Sequence, residues 1–174
     1  MTYYIGVDPG AKGYLCLLDP IGKMEFIPNP TTQKEVTDST LALLAHIHLL
    51  GQPIRVGIED VHSLYGISAK SNFNFGFNLG MITTLLYGMF PKHLITKVQP
   101  KVWQKAIGAP SKKFLGGQMK LKQAIADIAE AIYPHADLYG PKGGLKDGKA
   151  DALMIAHYLY LQDRGPYDFI TKTT

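Results

Sequence analysis

Cysteine is almost absent from this chain. Its 174 residues hold one, Cys16, so no internal disulfide can form. Cys16 lies in the apolar run GYLCLL and reads as a buried, inert thiol, which fits a reducing, cytoplasmic setting. Long hydrophobic runs are missing too. None approaches the roughly 18 to 20 residues that cross a bilayer, so no membrane association is expected. The first residues, MTYYIGVDPG, lack a basic segment followed by an apolar one, so no secretory leader is expected. No second histidine or cysteine stands at ligand spacing from another, which argues against zinc. There is no repeat and no linker, and one domain over 1–174 is expected. Charged residues are sparse at 18%, while 46% are hydrophobic, the balance of a folded globular chain.

The charge that is present is unevenly placed. Residues 92–149 carry 11 of the 18 basic residues and four acids (Asp127, Glu130, Asp137, Asp147), a net of +7. The remainder is −3, so the chain totals +4. A basic segment of this kind suits a polyanionic partner, because phosphates are bound through Lys and Arg with release of counterions.

Three short β-rich runs open the chain: 3–8, 13–19 and 23–29, joined at Pro9-Gly10 and Pro20-Ile21-Gly22. Tight turns between strands predict an antiparallel meander. A helix is expected over about 33–50, with Leu41, Leu44 and His48 at helical spacing. The continuous β-branched run 54–60 predicts a strand buried on both faces. Residues 63–78 read as a loop and 79–90 as a buried helix closed by Pro91. A strand over 94–99 and a short helix opened by Pro100 come next, then a mobile stretch over 109–117. Leu121, Ile125, Ile128 and Ile132 mark an amphipathic helix over 118–133. A loop over 134–146 leads to a last helix over 147–161. The order is that of an α/β fold: a mixed sheet, antiparallel then parallel, with helices on both faces.

Acids stand at telling positions in this scheme. In YYIGVDPG, Tyr3, Ile5 and Val7 alternate to one face and Asp8 ends the strand on the other. Glu59 closes the most hydrophobic strand, where Asp8 and Glu59 can lie on neighbouring strand ends. Asp60 should point to the opposite face. Asp151 enters an apolar helix between Ala150 and Ala152, small neighbours that would leave room beside the carboxylate. Asp147 lies four residues earlier, on the same side of the helix. An acid at a helix start also serves as a cap or dipole partner, the simpler role for Asp147. Clustered carboxylates repel one another unless cations bind between them. Magnesium suits an all-oxygen site, and two ions about 4 Å apart can activate water and stabilise a leaving oxygen.

GVDPG (6–10), IED (58–60) and ADALMIA (150–156) resemble, in order and context, the three acidic motifs of RuvC-type Holliday-junction resolvases. The resemblance runs from Tyr3 to about Leu161, and DGKADALMIAHY is similar to the small phage-encoded branch. It implies a ribonuclease-H-like fold and a homodimer that nicks four-way DNA junctions in a bacterial or phage-infected cell. It also implies two Mg2+ ions per site, with Mn2+ able to substitute. By position, Asp8 matches the aspartate that bridges both metals, Glu59 the middle-strand glutamate and Asp151 the helix aspartate. The family's fourth ligand stands three residues before that aspartate, where this chain has Gly148. Asp147 is the natural substitute.

The same resemblance implies lysines near the scissile phosphate and an aromatic at the junction core. Lys105 and Lys120 fall nearest the family's basic positions and are the catalytic candidates. Lys101, Lys112, Lys113 and Lys122 join them as DNA-binding candidates. Lys149 could offset carboxylate repulsion or touch phosphate. Phe73 and Phe75, with Phe77, alternate in a predicted loop after Glu59 and offer a stacking wedge, as does Tyr65; a core role at a helix start is equally open to them. Trp103 reads as core, His62 as bordering the site, and His157 as facing elsewhere. Other readings are a different ribonuclease-H-fold nuclease and a junction-binding protein that has lost cleavage. An actin-like phosphotransferase would need a second domain.

Overall fold

A computed structural model describes residues 1–10, 12–32, 35, 52–61, 66 and 68–164. Its strands are β1 (Tyr3–Val7), β2 (Tyr14–Leu18), β3 (Met24–Pro28), β4 (Ile54–Glu59) and β5 (Ile95–Val98). Its helices are α1 (Ala69–Met89), α2 (Pro100–Ala106), α3 (Lys112–Leu115), α4 (Gln118–Ile132) and α5 (Asp147–Arg164). The helix expected over 33–50 lies outside the described residues except for Glu35, and so do Tyr65 and His62.

The strands form one sheet in the order β3-β2-β1-β4-β5. β1 pairs antiparallel with β2 and parallel with β4, and β4 is parallel to β5. This is the expected change from meander to parallel strands. Helices cover both faces, so β1 and β4 are buried throughout their centres. Ile5, Val7, Val56 and Ile58 pack towards Ile82, Leu86 and Phe90 around α1. Tyr4, Cys16 and Leu18 pack on the other face against α4 and α5, with Leu121, Ile125, Leu153 and Met154. The architecture is ribonuclease-H-like.

Gly6 explains how α5 lies so close to the sheet. A Cβ at this position would sit 2.0 Å from the carbonyl oxygen of Ala152 and 2.5 Å from the amide nitrogen of Ala156. Ala150, Ala152 and Ala156 are themselves fully buried. The backbone at Ala152 and Ala156 therefore forms the close contact of helix with strand.

Three elements differ from expectation. α1 begins ten residues earlier than predicted, inside the stretch read as a loop. Ser68 caps it by accepting a hydrogen bond from the Ser71 amide at 3.1 Å. Its Ser-, Asn- and Gly-rich first half faces water, and only Asn78, Ile82 and Leu86 are fully buried, so it is a one-sided helix. The stretch 109–117 holds the helical turn α3, capped by Ser111 at one end and by Gly116 in the left-handed region (φ 75°) at the other. α5 runs three residues further than predicted.

Candidate active site: four carboxylates and a lysine

Strand register carries Asp8 and Glu59 to one place. Val7 pairs with Ile58, and both turn towards α1. Alternation then puts Gly6, Gly57 and the next residues, Asp8 and Glu59, on the α5 face. Both acids thus sit at the carboxyl ends of adjacent parallel strands.

The turn after β1 holds Asp8 in place. The Gly10 amide donates to Asp8 Oδ1 at 3.2 Å. Asn29 Nδ2 donates to the carbonyls of Asp8 and Gly10, the latter at 2.8 Å. Asp60, by the same alternation, faces away, and its amide bonds the Val98 carbonyl. Trp103 is fully buried as expected, but it also donates Nε1 to Glu59 Oε1 at 3.0 Å. Sequence reading missed that second role, since nothing in KVWQK tells where the indole N–H points.

α5 brings the other two acids. Asp151 faces the Asp8–Glu59 pair, and its Oδ1 is buried with no hydrogen-bond partner. Asp147, one turn earlier, forms an ion pair with Lys122 of α4. The backbone between them is pressed against the first turn. A Cβ at Gly148 would lie 2.8 Å from Asp8 Oδ2, 2.7 Å from the Lys12 carbonyl oxygen and 2.9 Å from Gly13 Cα. An acid at position 148 would clash in this backbone; the acid nearest to it in the chain is Asp147. Beside Asp147 opens a cleft of about 710 Å³ bordered by Lys12, Tyr14, Asn29, Leu145 and Lys146.

The four acids feel one another. Burial pushes the Asp8 carboxyl up, and the charge of Asp147 adds to this, while the Gly10 amide and Lys122 oppose it. Burial raises Glu59 to about 7, with the Trp103 bond pulling down and Asp8 pushing up. Asp151 is held well above the carboxylate range, first by burial and then by Asp8, Glu59 and Asp147. Burial alone would depress Lys122, but the Asp147 bond and the charges of Asp147, Asp151 and Asp8 outweigh it and raise its pKa.

As the side chains stand, no three of the described acids, histidines or cysteines are set to clasp one ion. The donor set nevertheless fits a hard divalent cation. It is all oxygen, mutually repelling, and contains a buried carboxylate oxygen with no partner. Asp147 and Lys122, which pair with each other here, are each about one-third exposed.

The lysine at this site is Lys122, not Lys120. Lys122 lies on the same stripe of α4 as the buried Ile125 and Ala126, whereas Lys120 is exposed. That i, i+3, i+4 relation was the available signal. Lys101, Lys105, Lys112 and Lys113 are also exposed and touch none of the four acids. Lys149 is turned aside. Its ammonium bonds the backbone oxygen and carboxylate of Asp137 at 2.8 Å and lies over the rings of Tyr14 and Phe26. Phe73 and Phe77 lie one turn apart on α1, 72% and 53% exposed, with Phe75 half-buried, so the predicted loop wedge is a helix face. His157 is buried against Tyr133, as expected away from the site, with Nδ1 2.9 Å from the Tyr133 hydroxyl.

A mixed five-stranded sheet with acids on adjacent strand ends and on the helix packed across them defines a ribonuclease-H-like fold carrying a cluster of carboxylates. Among solved structures, the chain is similar to Thermus thermophilus RuvC in complex with Holliday junction substrate: TM-score 0.58, 18% identity, 95% of this chain and 97% of that one. Thermus thermophilus RuvC alone gives TM-score 0.54 at 18% identity, covering 91% and 95%. The yeast mitochondrial Holliday junction resolvase gives 0.45 at 15% identity, covering 88% and 75%. No protein-family model and no curated protein matches the chain.

Proposed function

We propose that this protein is a divalent-metal-dependent endonuclease that cuts branched DNA of the four-way-junction type. The observation that carries the reading is the convergence of Asp8, Glu59, Asp147 and Asp151 into one electrostatically coupled group. Support for the substrate comes from the likeness, over nearly the whole chain, to a protein bound to a Holliday junction. The basic segment 92–149 supplies the charge that phosphates require.

Asp8, Glu59, Asp147 and Asp151 would hold Mg2+, with Mn2+ as a substitute, and two ions fit the number of donors. Bound there, the metal supplies Lewis acidity that activates water and stabilises the departing oxygen. The chain's own groups do the rest. Asp8 is fixed by the Asn29-braced turn, and Glu59 is aimed by Trp103. Asp151 presents a dry oxygen. Lys122 balances the carboxylates through its pair with Asp147 and would be available to a phosphate oxygen once a cation takes up that charge. A homodimer would set two such sites on opposing strands, as paired nicking requires.

The test is a panel of substrates: a synthetic four-way junction, a linear duplex and an RNA–DNA hybrid, each with Mg2+. The reading expects paired nicks in the junction at a rate well above the other two. Equal cutting of duplex or hybrid would indicate a different nuclease, and binding without nicking in either metal would leave a junction-binding protein.

A further inference from the structure

α5 opens with the residues DGKADA (147–152), so Asp147, Lys149 and Asp151 carry the only side chains longer than a methyl group in that stretch. At about 100° per residue, Asp147 and Asp151 lie about 40° apart around the helix axis, and Lys149 lies about 160° from each. One side of the turn bears both carboxylates and the opposite side a single cation. A lysine here stands at the positive end of the helix dipole, where cations are disfavoured. The residue before the helix is Lys146, whose side chain holds no acceptor and cannot cap the free amides. The first turn of α5 is therefore held by something other than a cap.

The fold meets Lys149 from three elements. Its ammonium donates to the carbonyl oxygen and to Oδ2 of Asp137, both at 2.8 Å. It lies 5.7 Å from the ring centre of Tyr14 in β2 and 5.2 Å from that of Phe26 in β3. Tyr14 stands opposite Pro28 and Phe26 opposite Cys16, so the two rings are diagonal neighbours on adjacent strands. The Lys149 side chain is 14% exposed, whereas its partner Asp137 is 79% exposed. The loop that offers Asp137 is itself anchored: Leu138 is fully buried, and its carbonyl accepts from the Lys146 amide at 2.8 Å. From this opposition we propose that Lys149 is a positioning residue. Its tether to Asp137, Tyr14 and Phe26 sets the rotation of the first turn of α5, and with it the aim of Asp147 and Asp151 at the Asp8–Glu59 pair. This rests on the metal-binding reading of the four acids and gives Lys149 a task other than phosphate contact.

Two variants test it in the full-length protein. Lys149→Met keeps an apolar stem between the two rings and removes the ammonium. Asp137→Ala removes an exposed carboxylate and leaves the backbone oxygen. Each is titrated with Mn2+, the free ion being followed by paramagnetic resonance, and four-way-junction binding is measured without metal. Lys149→Met should weaken Mn2+ binding about tenfold or more, the loss typical of partners that orient metal ligands, with junction binding unchanged. Asp137→Ala should weaken Mn2+ binding by a smaller factor, and the double variant no further than Lys149→Met alone, since both act through one tether. Wild-type Mn2+ affinity in folded Lys149→Met overturns the proposal, and so do additive losses in the double variant. Tighter junction binding by Asp137→Ala at unchanged Mn2+ affinity also overturns it, because Lys149 would then be a phosphate contact. If Lys149→Met does not fold, Asp137→Ala decides at the surface, and Mn2+ affinity equal to wild type overturns the tether. Wild type that binds no Mn2+ overturns the metal-binding reading beneath it.

Discussion

Trp103 Nε1 donates to Glu59 Oε1 at 3.0 Å, so the chain's single tryptophan orients one of its four site carboxylates. Partners of this kind fix the geometry of metal-ligating side chains, and losing them costs roughly 10- to 100-fold in metal affinity or activity. Trp103→Phe keeps an aromatic in the core and removes the donor. We expect folded protein whose junction-nicking rate and Mg2+ affinity fall by about that factor. Unaltered affinity and rate would make the indole a packing residue only.

Glu59 sets a pH dependence. Its carboxyl is raised to about 7 from an ordinary 4.5, first by burial. The folded state therefore holds this proton more tightly than the unfolded one. Glu59 then subtracts stability as pH rises from 4.5 to 7, and the loss is complete above 7. Metal competes with the same proton. Apparent Mg2+ affinity should fall towards tenfold per unit of pH below 7, and Mg2+ should raise Tm more at pH 8 than at pH 5.5. Calorimetric titration at pH 6.5 in two buffers of different ionisation heat reads the released proton. Buffer-independent heats and equal Tm gains would contradict the assignment.

Gly148 occupies the position where the resemblance places a fourth acid, and the backbone leaves it no room. Asp147→Asn should lower the nicking rate at least tenfold. Adding Gly148→Asp should not rescue it, because the new side chain meets Asp8 and the Lys12 carbonyl. Recovery in the double variant would show that the turn and helix separate more readily than their packing indicates.

Gly6→Ala tests how the site is assembled. Its Cβ would meet the α5 backbone at 2.0 Å, and backbone cannot turn aside as a side chain does. The substitution should cost at least about 3 kcal/mol, at the upper end of overpacking, in a fold whose total margin is about 5–15 kcal/mol. Thermal unfolding checks it. A Tm close to that of wild type would mean that α5 packs at a greater distance.

Much of this was legible in the residues because one constraint did two jobs. The alternation of Tyr3, Ile5 and Val7 that marks β1 also sets Asp8 on the opposite face. The buried run 54–59 places Glu59 beside it. What stayed hidden depends on partners distant in the chain. α1 starts at Ala69 because Ser68 caps it and its first half needs no burial, so polar residues imitated a loop. Lys122 and Lys120 are equally basic on paper, and only the packing of α4 decides which meets Asp147. Lys149 seemed to belong to the acidic motif, yet Asp137, Tyr14 and Phe26 draw it away. The indole of Trp103 has no periodic signature.

The most direct measurement compares wild type with Asp8→Asn and Asp151→Asn on one synthetic four-way junction, following Mg2+-dependent nicking and junction binding together. Nicking should disappear in both variants while binding persists near the wild-type level. If either variant nicks at the wild-type rate, the carboxylate cluster is not the cutting centre.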